Sequence, residues 1–294
     1  RGLGDVYKRQ PHVSAFIMIT LLIKEGSSMK FYILCDIEGV ASLACWDEAR
    51  SANACYAPMA REMALEAAAA ARGLFSGGAD EVVIEDMHGD GCNIDCALLP
   101  RDARLLRGIT HDIVGLTGIF DESYDGVLMV GFHDAASAPG NPTSHTMVSS
   151  RIFRLTVNGT LWGEFEMYAH AAAYRGVPTL FASGDEGMCA AAARTVPGLL
   201  TVPTKSGHGY GVLTKTPELV REEIEGMMAK AVAAAKTAAP PALPDHFHVE
   251  VTYVHHYDAY GCSHYPGASL ISPTTVAFDA DDYGDVLRFF YFVI

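Results

Sequence analysis

Positive charge is scarce in this 294-residue chain: 21 Lys and Arg stand against 35 Asp and Glu, for a formal net charge of −14. Phosphate backbones need clustered cations, so the balance argues against a nucleic-acid partner while leaving divalent metals open to the carboxylates. There is no run of 18 apolar residues, and no membrane-spanning helix is expected. There is no C-x-x-C pair either. The seven cysteines, Cys35, Cys45, Cys55, Cys92, Cys96, Cys189 and Cys262, form an odd set that fits neither a disulfide framework nor a zinc ribbon. Reduced cysteines and a cytoplasmic location are the expectation. Charged residues make up only 19% and apolar ones 50%, which excludes global disorder and allows a packed core. At roughly 150 residues per domain, one large or two modest domains are expected.

Residues 1–28 differ from the rest and read as a non-native or disordered leader. The segment Arg1–Gln10 resembles translated upstream sequence, and the run from Met29 reads as a natural start. A rival reading is a signal peptide, with Lys8 and Arg9 before a largely apolar stretch from Val13 to Ile23, but no A-x-A cleavage site comes after it.

Beyond Met29, strand-like and helix-like stretches alternate. Strands are predicted at Phe31–Cys35, Glu81–Ile84, Gly126–Val130, Val177–Ala182, Leu199–Val202 and Phe247–Val254. Helices are predicted at Ala57–Gly73, Phe165–Arg175, Glu186–Thr195 and Pro217–Lys236. Asn158-Gly159 inside Arg151–Trp162 is a strong hairpin signal. The apolar end, Leu287–Ile294, reads equally as a helix or a buried strand. The alternation predicts a layered α/β/α fold with a largely parallel sheet and a smaller α+β subdomain. A Pro-rich linker before Pro244 divides a catalytic α/β domain, 29–239, from a C-terminal α+β segment, 245–294, that completes the fold.

Three predicted strands in succession run into potential metal ligands. The first leads into Asp36-Ile37-Glu38-Gly39, where residues two apart face the same side of an extended backbone. The second leads into Glu85-Asp86-Met87-His88, and the third into Gly131-Phe132-His133-Asp134. Each ending alone is ordinary loop chemistry. If the strands are parallel neighbours, however, their carboxyl ends converge on one edge, where α/β sheets bind ligands. Mixed Asp, Glu and His ligands suit zinc or a similar ion, and their surplus over one catalytic zinc points to a two-metal site. His145 ends a turn-rich loop from Pro139 and could act as a general base or stabilise an oxyanion. Glu164 comes after the hairpin and opens a helix. Asp86 and Asp134 are candidates to orient His88 and His133. Asp185-Glu186 could edge a pocket, and His208 could line a substrate entrance. His170 reads as a packing or surface residue.

Taken together, Asp36-Ile37-Glu38-Gly39, Asp86-Met87-His88, Gly131-Phe132-His133, Ser144-His145-Thr146-Met147 and Gly163-Glu164 resemble the zinc-dependent D-aminopeptidases, the dipeptide transport protein (DppA) family of metallopeptidases. Tyr265-Pro266-Gly267-Ala268 and Ser272-Pro273-Thr274-Thr275-Val276 extend the likeness to the C-terminal part. One position departs, with Leu34 where the family usually carries Ser. The resemblance implies two Zn2+ ions per chain (Mn2+ or Co2+ are alternatives), with Asp36 bridging them. It implies Glu38 and His88 on one ion, His133 and Glu164 on the other, and His145 as the catalytic histidine. It further implies an aminopeptidase acting on short, D-residue-containing peptides through a metal-bridged hydroxide, and a homo-oligomer, a decameric ring. The alternatives are another two-metal amidohydrolase or phosphoesterase, and a non-catalytic peptide-binding component of dipeptide transport.

Overall fold

The computed structural model describes residues 28–112 and 119–294. The leader reading of residues 1–28 falls, but for Ser28, outside them. The strands are β1 (Lys30–Cys35), β2 (Glu81–Asp86), β3 (Arg104–Leu106), β4 (Gly126–Phe132), β5 (Ile152–Val157), β6 (Thr160–Leu161), β7 (Thr179–Asp185), β8 (Leu200–His208), β9 (Gly211–Thr214), β10 (Phe247–Tyr253), β11 (Ser269–Ser272) and β12 (Thr275–Ala280). The helices are α1 (Trp46–Ala49), α2 (Tyr56–Ser76), α3 (Glu164–Tyr174), α4 (Glu186–Thr195), α5 (Pro217–Ala235), α6 (His256–Cys262) and α7 (Tyr283–Val293).

Seven strands form the main sheet in the order β3-β2-β1-β4-β7-β8-β9, parallel except for β9, which returns antiparallel on β8. Both faces are covered, which is why β1, β2, β4 and β7 are buried along almost their whole length instead of alternating between buried and exposed. On one face, Phe31, Ile33, Val82, Ile84, Leu128 and Val130 pack against α2 and α5. On the other, Tyr32, Leu34, Val83, Val127 and Met129 pack against α3 and α4. The alanines of α2, Ala67 to Ala71, let that helix lie close to the sheet without side-chain bulk.

A second, antiparallel sheet has the order β11-β12-β10-β5-β6. Its hairpin turns at Asn158 (φ 50°) and Gly159 (φ 75°), the left-handed pair that a two-residue turn requires. The C-terminal segment does not build this sheet alone: β5 and β6 come from ahead of the Pro-rich stretch and pair with β10. Leu155, Val157 and Trp162 share its core with Val249, Val251 and Phe290. The ambiguous apolar end is a helix, α7, whose Tyr283, Val286, Leu287 and Phe290 recur at helical spacing on the buried side. Helix α3 serves both cores, Tyr168 facing the main sheet and Met167 the second one.

The main sheet reverses its order at β1. The chain winds from β1 to β2 and β3 on one side, then places β4 on the other. The crevice beyond the carboxyl ends of β1 and β4 is therefore the topological switch point, where open α/β sheets bind ligands. The strand ends are tied closely there: Asp36 N–H donates to Val130 O at 2.9 Å and Gly39 N–H to Gly131 O at 2.8 Å. Gly131 has φ +74°, and a Cβ on it would lie 2.2 Å from Asp36 O. Replacing Gly131 by Ala should therefore cost more than the about 1–2 kcal/mol of a left-handed Ala, because two strand ends must also separate. Denaturant unfolding measures this, and a Gly131→Ala protein as stable as its parent would contradict the close approach.

Candidate metal centre

Each candidate ligand leaves the end of a structural element. Asp36 and Glu38 come after β1, His88 after β2 and His133 after β4, and Glu164 is the first residue of α3. Register brings the first strand ends level, since Cys35 pairs with both Asp86 and Val130. Strand β2 runs two residues further than expected, so Glu85 and Asp86 belong to it and His88 stands on the turn beyond.

The structure brings all five side chains into one neighbourhood, with His145 beside them. Asp36 sits in the middle, Oδ1 3.3 Å from His88 Nδ1 and Oδ2 3.3 Å from His133 Nε2. Glu38 Oε2 lies 3.0 Å from His88 Nδ1. Glu164 Oε1 lies 3.5 Å from His133 Nε2 and 3.8 Å from His145 Nε2. Donor atoms of Asp36, Glu38 and His133 lie within 4.8 Å of one another, and so do those of His133, His145 and Glu164. His145 thus stands in reach of the same space as the candidate ligands, its ring stacked on His133 at 4.0 Å between centroids.

The outer nitrogen of each imidazole is tied to a backbone carbonyl. His88 Nε2 meets Ala49 O at 2.6 Å, His133 Nδ1 meets Asp134 O at 3.0 Å, and His145 Nδ1 meets Thr143 O at 2.9 Å. A carbonyl only accepts, so each of these nitrogens carries the proton. In the neutral ring the opposite nitrogen is then a lone pair, and in all three cases it faces carboxylate oxygens that also only accept. Glu38 Oε2 and His133 Nε2 are fully buried with no hydrogen-bond partner. Acceptors crowded against acceptors in a buried space demand positive charge between them.

The electrostatics point the same way. Burial alone would lower the His88 pKa, yet Asp36 and Glu38 push it up to about 11. His133 is likewise raised, against its burial, by Glu164 and Asp36. Burial opposes ionisation of Asp36, but His133 and His88 hold its carboxyl well below the usual range. His145 behaves oppositely: burial, then the neighbouring His133, bring it down to about 4, so its Nε2 is an unprotonated base at neutral pH. Carboxylates with imidazoles whose far nitrogens are fixed by carbonyls are the donor chemistry of a zinc-type centre, so the residues fit such an ion.

The two acids expected to orient histidines act otherwise. Asp86 takes Asn93 N–H at 2.6 Å, Ile94 N–H at 2.7 Å and Asn93 Nδ2 at 2.8 Å, and Asn93 Nδ2 also donates to His88 O at 2.6 Å. It orders the turn that carries His88, not the ring. Asp134 holds His133 through its carbonyl, not its carboxylate. His170 packs against Trp162, as expected, at 4.2 Å between centroids. His208 ends β8 beside the β8–β9 hairpin and is not among the residues lining the cavity.

Sequence reasoning missed several contributors. Met147, at φ +58°, donates its N–H to Glu164 Oε1 at 2.6 Å. Trp46, one of two tryptophans, meets the His145 ring edge-on at 5.0 Å. Its only sequence signal is a large aromatic close behind the Asp36-Ile37-Glu38-Gly39 turn. Ala49 and Thr143 act through carbonyls and carry no side-chain signal at all. A cavity of about 480 Å³ opens onto the cluster, with Trp46, Met87, Met167, Tyr168 and Phe290 among its walls. No Lys or Arg is among the described residues lining it.

Comparison with known proteins bears on the family and the fold. The D-aminopeptidase family model, Peptidase_M55, matches residues 29–292. A D-aminopeptidase of Bacillus subtilis (strain 168) is 26% identical over 256 residues, covering 86% of this chain and 92% of the relative. Among solved structures, the Zn-dependent D-aminopeptidase DppA from Bacillus subtilis, described as a self-compartmentalizing protease, aligns with a TM-score of 0.83. It is 24% identical, with 90% of this chain and 96% of that chain covered, a likeness that speaks for the fold. The family match spans nearly every described residue, including all six side chains of the cluster, and the chain belongs to the D-aminopeptidase family of peptidases.

Proposed function

We propose that the chain is a zinc-dependent aminopeptidase that hydrolyses short peptides with D-residues, and that it holds two ions per chain. One observation carries the reading. Three imidazoles, each locked by a backbone carbonyl, turn their free nitrogens toward three buried carboxylates. Asp36 would serve both ions, since one of its oxygens faces His88 and the other His133. Glu38 and His88 would complete one ion's set, and His133 and Glu164 the other's. Bound cations would supply Lewis acidity toward the peptide carbonyl and lower the pKa of water.

The chain's own residues would do the rest. His145 Nε2, unprotonated at neutral pH, would accept a proton from the attacking water and return it to the leaving amine. Trp46 and Thr143 O hold that ring in place. Trp46, Met87, Met167, Tyr168 and Phe290 give the cavity apolar walls, and its acidic side chains, with no Lys or Arg among the described lining residues, suit a substrate with a free ammonium group. The donors all lie within residues 29–239, while Phe290 of the C-terminal segment supplies part of one wall. The name of the self-compartmentalizing relative supports a homo-oligomer here too, with a decamer as the assembly to test. The seven free cysteines fit a cytoplasmic setting.

Metal content per chain, read beside peptide cleavage before and after chelation, tests the centre. Two zinc ions, activity lost on chelation and activity restored by zinc are expected; full turnover by metal-free protein would reject the reading. A second measurement separates the roles. Glu38→Gln and His133→Ala should lose both zinc and turnover. His145→Ala should keep its zinc and lose about 10²–10⁴-fold in kcat. Loss of zinc from His145→Ala would make His145 a ligand instead.

A further inference from the structure

Outside the cluster, one buried ion pair has no task so far. Lys205, on β8, is 3% exposed, and Asp185, the last residue of β7, is 2% exposed. Their charged atoms are 3.7 Å apart, and neither residue lines the cavity. Each makes its shorter bonds to the segments that carry the cluster. Lys205 Nζ donates to Glu38 O at 2.5 Å and Val40 O at 2.8 Å, and the adjacent Thr204 hydroxyl donates to Gly39 O at 2.6 Å. Three successive carbonyls of the turn that carries Glu38 are thus held from β8. Asp185 Oδ2 accepts the N–H of Asp134, whose carbonyl fixes His133 Nδ1. Asp185 Oδ1 accepts Asn141 Nδ2 at 2.7 Å. Asn141 Oδ1 in turn accepts the N–H and hydroxyl of Thr143 at 3.2 Å, and Thr143 O fixes His145 Nδ1.

The attraction between the two charges does not by itself account for such a pair. Removing two charges from water is costly, and apolar residues of similar size commonly do as well or better in a core. What apolar residues cannot do is direct carbonyls and amides. We infer that Lys205 and Asp185 are the positioning pair of the centre. They refer the Glu38 turn, the His133 turn and the His145 loop, which are far apart in sequence, to one shared point on β7 and β8. Lys205 acts on the Glu38 arm. Asp185 acts on the other two, reaching His145 through Asn141.

The inference rests on the metal-dependent reading above, and its test uses that activity together with zinc affinity. Lys205→Met alone strands a buried carboxylate and should lower thermal stability sharply. Lys205→Met/Asp185→Asn removes both charges, and its melting temperature should recover only the part lost by stranding Asp185, since Glu38 O and Val40 O stay without the Lys205 ammonium. The double variant should nonetheless bind zinc roughly 10–100-fold more weakly in competition with a chelator. At saturating zinc its kcat should fall at least about tenfold with KM within about twofold, because the substrate cavity is untouched. Asn141→Ala cuts only the branch to His145, so it should keep parental zinc affinity and lose kcat. A folded double variant with parental zinc affinity and kcat would overturn the inference. Should the double variant fail to fold, parental kcat in Asn141→Ala would overturn it. Parent protein that holds no zinc or cleaves no peptide would instead reject the reading of the centre itself.

Discussion

The structure turns on a repulsion. Asp36, Glu38 and Glu164 lie buried against the inward nitrogens of His88, His133 and His145, and those nitrogens cannot donate unless they take up a second proton. Such a cluster is tolerable only with positive charge inside it, supplied by protons on His88 and His133 or by cations. The protein does not relieve this repulsion by turning the rings outward, because Ala49, Asp134 and Thr143 hold each ring by its other nitrogen. The arrangement favours a bound cation, with the rings held by backbone contacts and not by the charge itself.

The fold supplies that arrangement through the reversal of strand order at β1. Chain winding to either side of β1 leaves the ends of β1 and β4 facing one crevice, with the turn after β2 beside them. A fourth segment, α3, delivers Glu164 from its N-terminal end, where a carboxylate also suits the helix dipole. Two apolar cores, one on each sheet face, close around β1, β2 and β4 and fix the height of those ends. The glycines there let strand ends approach closer than side chains would permit, as Gly131 does against Asp36 O. Rigid strands thus set the level of the donors, and short turns set their direction.

Much of this was legible in the sequence because it depends on position along strands. In a parallel sheet the residues just past each strand's end gather on the same edge, so Asp36, Glu38, His88 and His133 could be grouped before any coordinates. The second sheet was harder to read. Its hairpin was evident at Asn158-Gly159, but nothing local says that β5 pairs with β10, some ninety residues later. Contacts made through the backbone leave no trace in side-chain identity, which hid Ala49 and Thr143. A buried charge is hidden in another way: Lys205 lies beyond the predicted strand Leu199–Val202 with no sequence signal of burial, and only its surroundings reveal a lysine enclosed by carbonyls. Asp86 and Asp134 were rightly placed near the histidines, but they act through a turn and a carbonyl instead of on the rings.

The same logic bears on why this chain spends core volume on ionisable groups. Behind the cage, Glu66 is fully buried and pushed up to about 8 by burial, with one oxygen on Ala41 N–H. Asp134 is raised to about 7 by burial and by Asp185. Together with Lys205 and Asp185 they form a polar layer directly beneath the turns that carry the donors. An apolar layer would pack at lower cost, but it would leave the carbonyls of Glu38, Gly39 and Val40 and the amides of Ala41 and Asp134 without partners in a space closed to water. Those groups are unpaired by the sheet because the chain leaves it there, where the candidate ligands turn into the crevice. A centre built on strand ends therefore requires a polar floor, and the floor requires an apolar core deep enough to offset it. The strands of this sheet, buried on both faces, provide that depth.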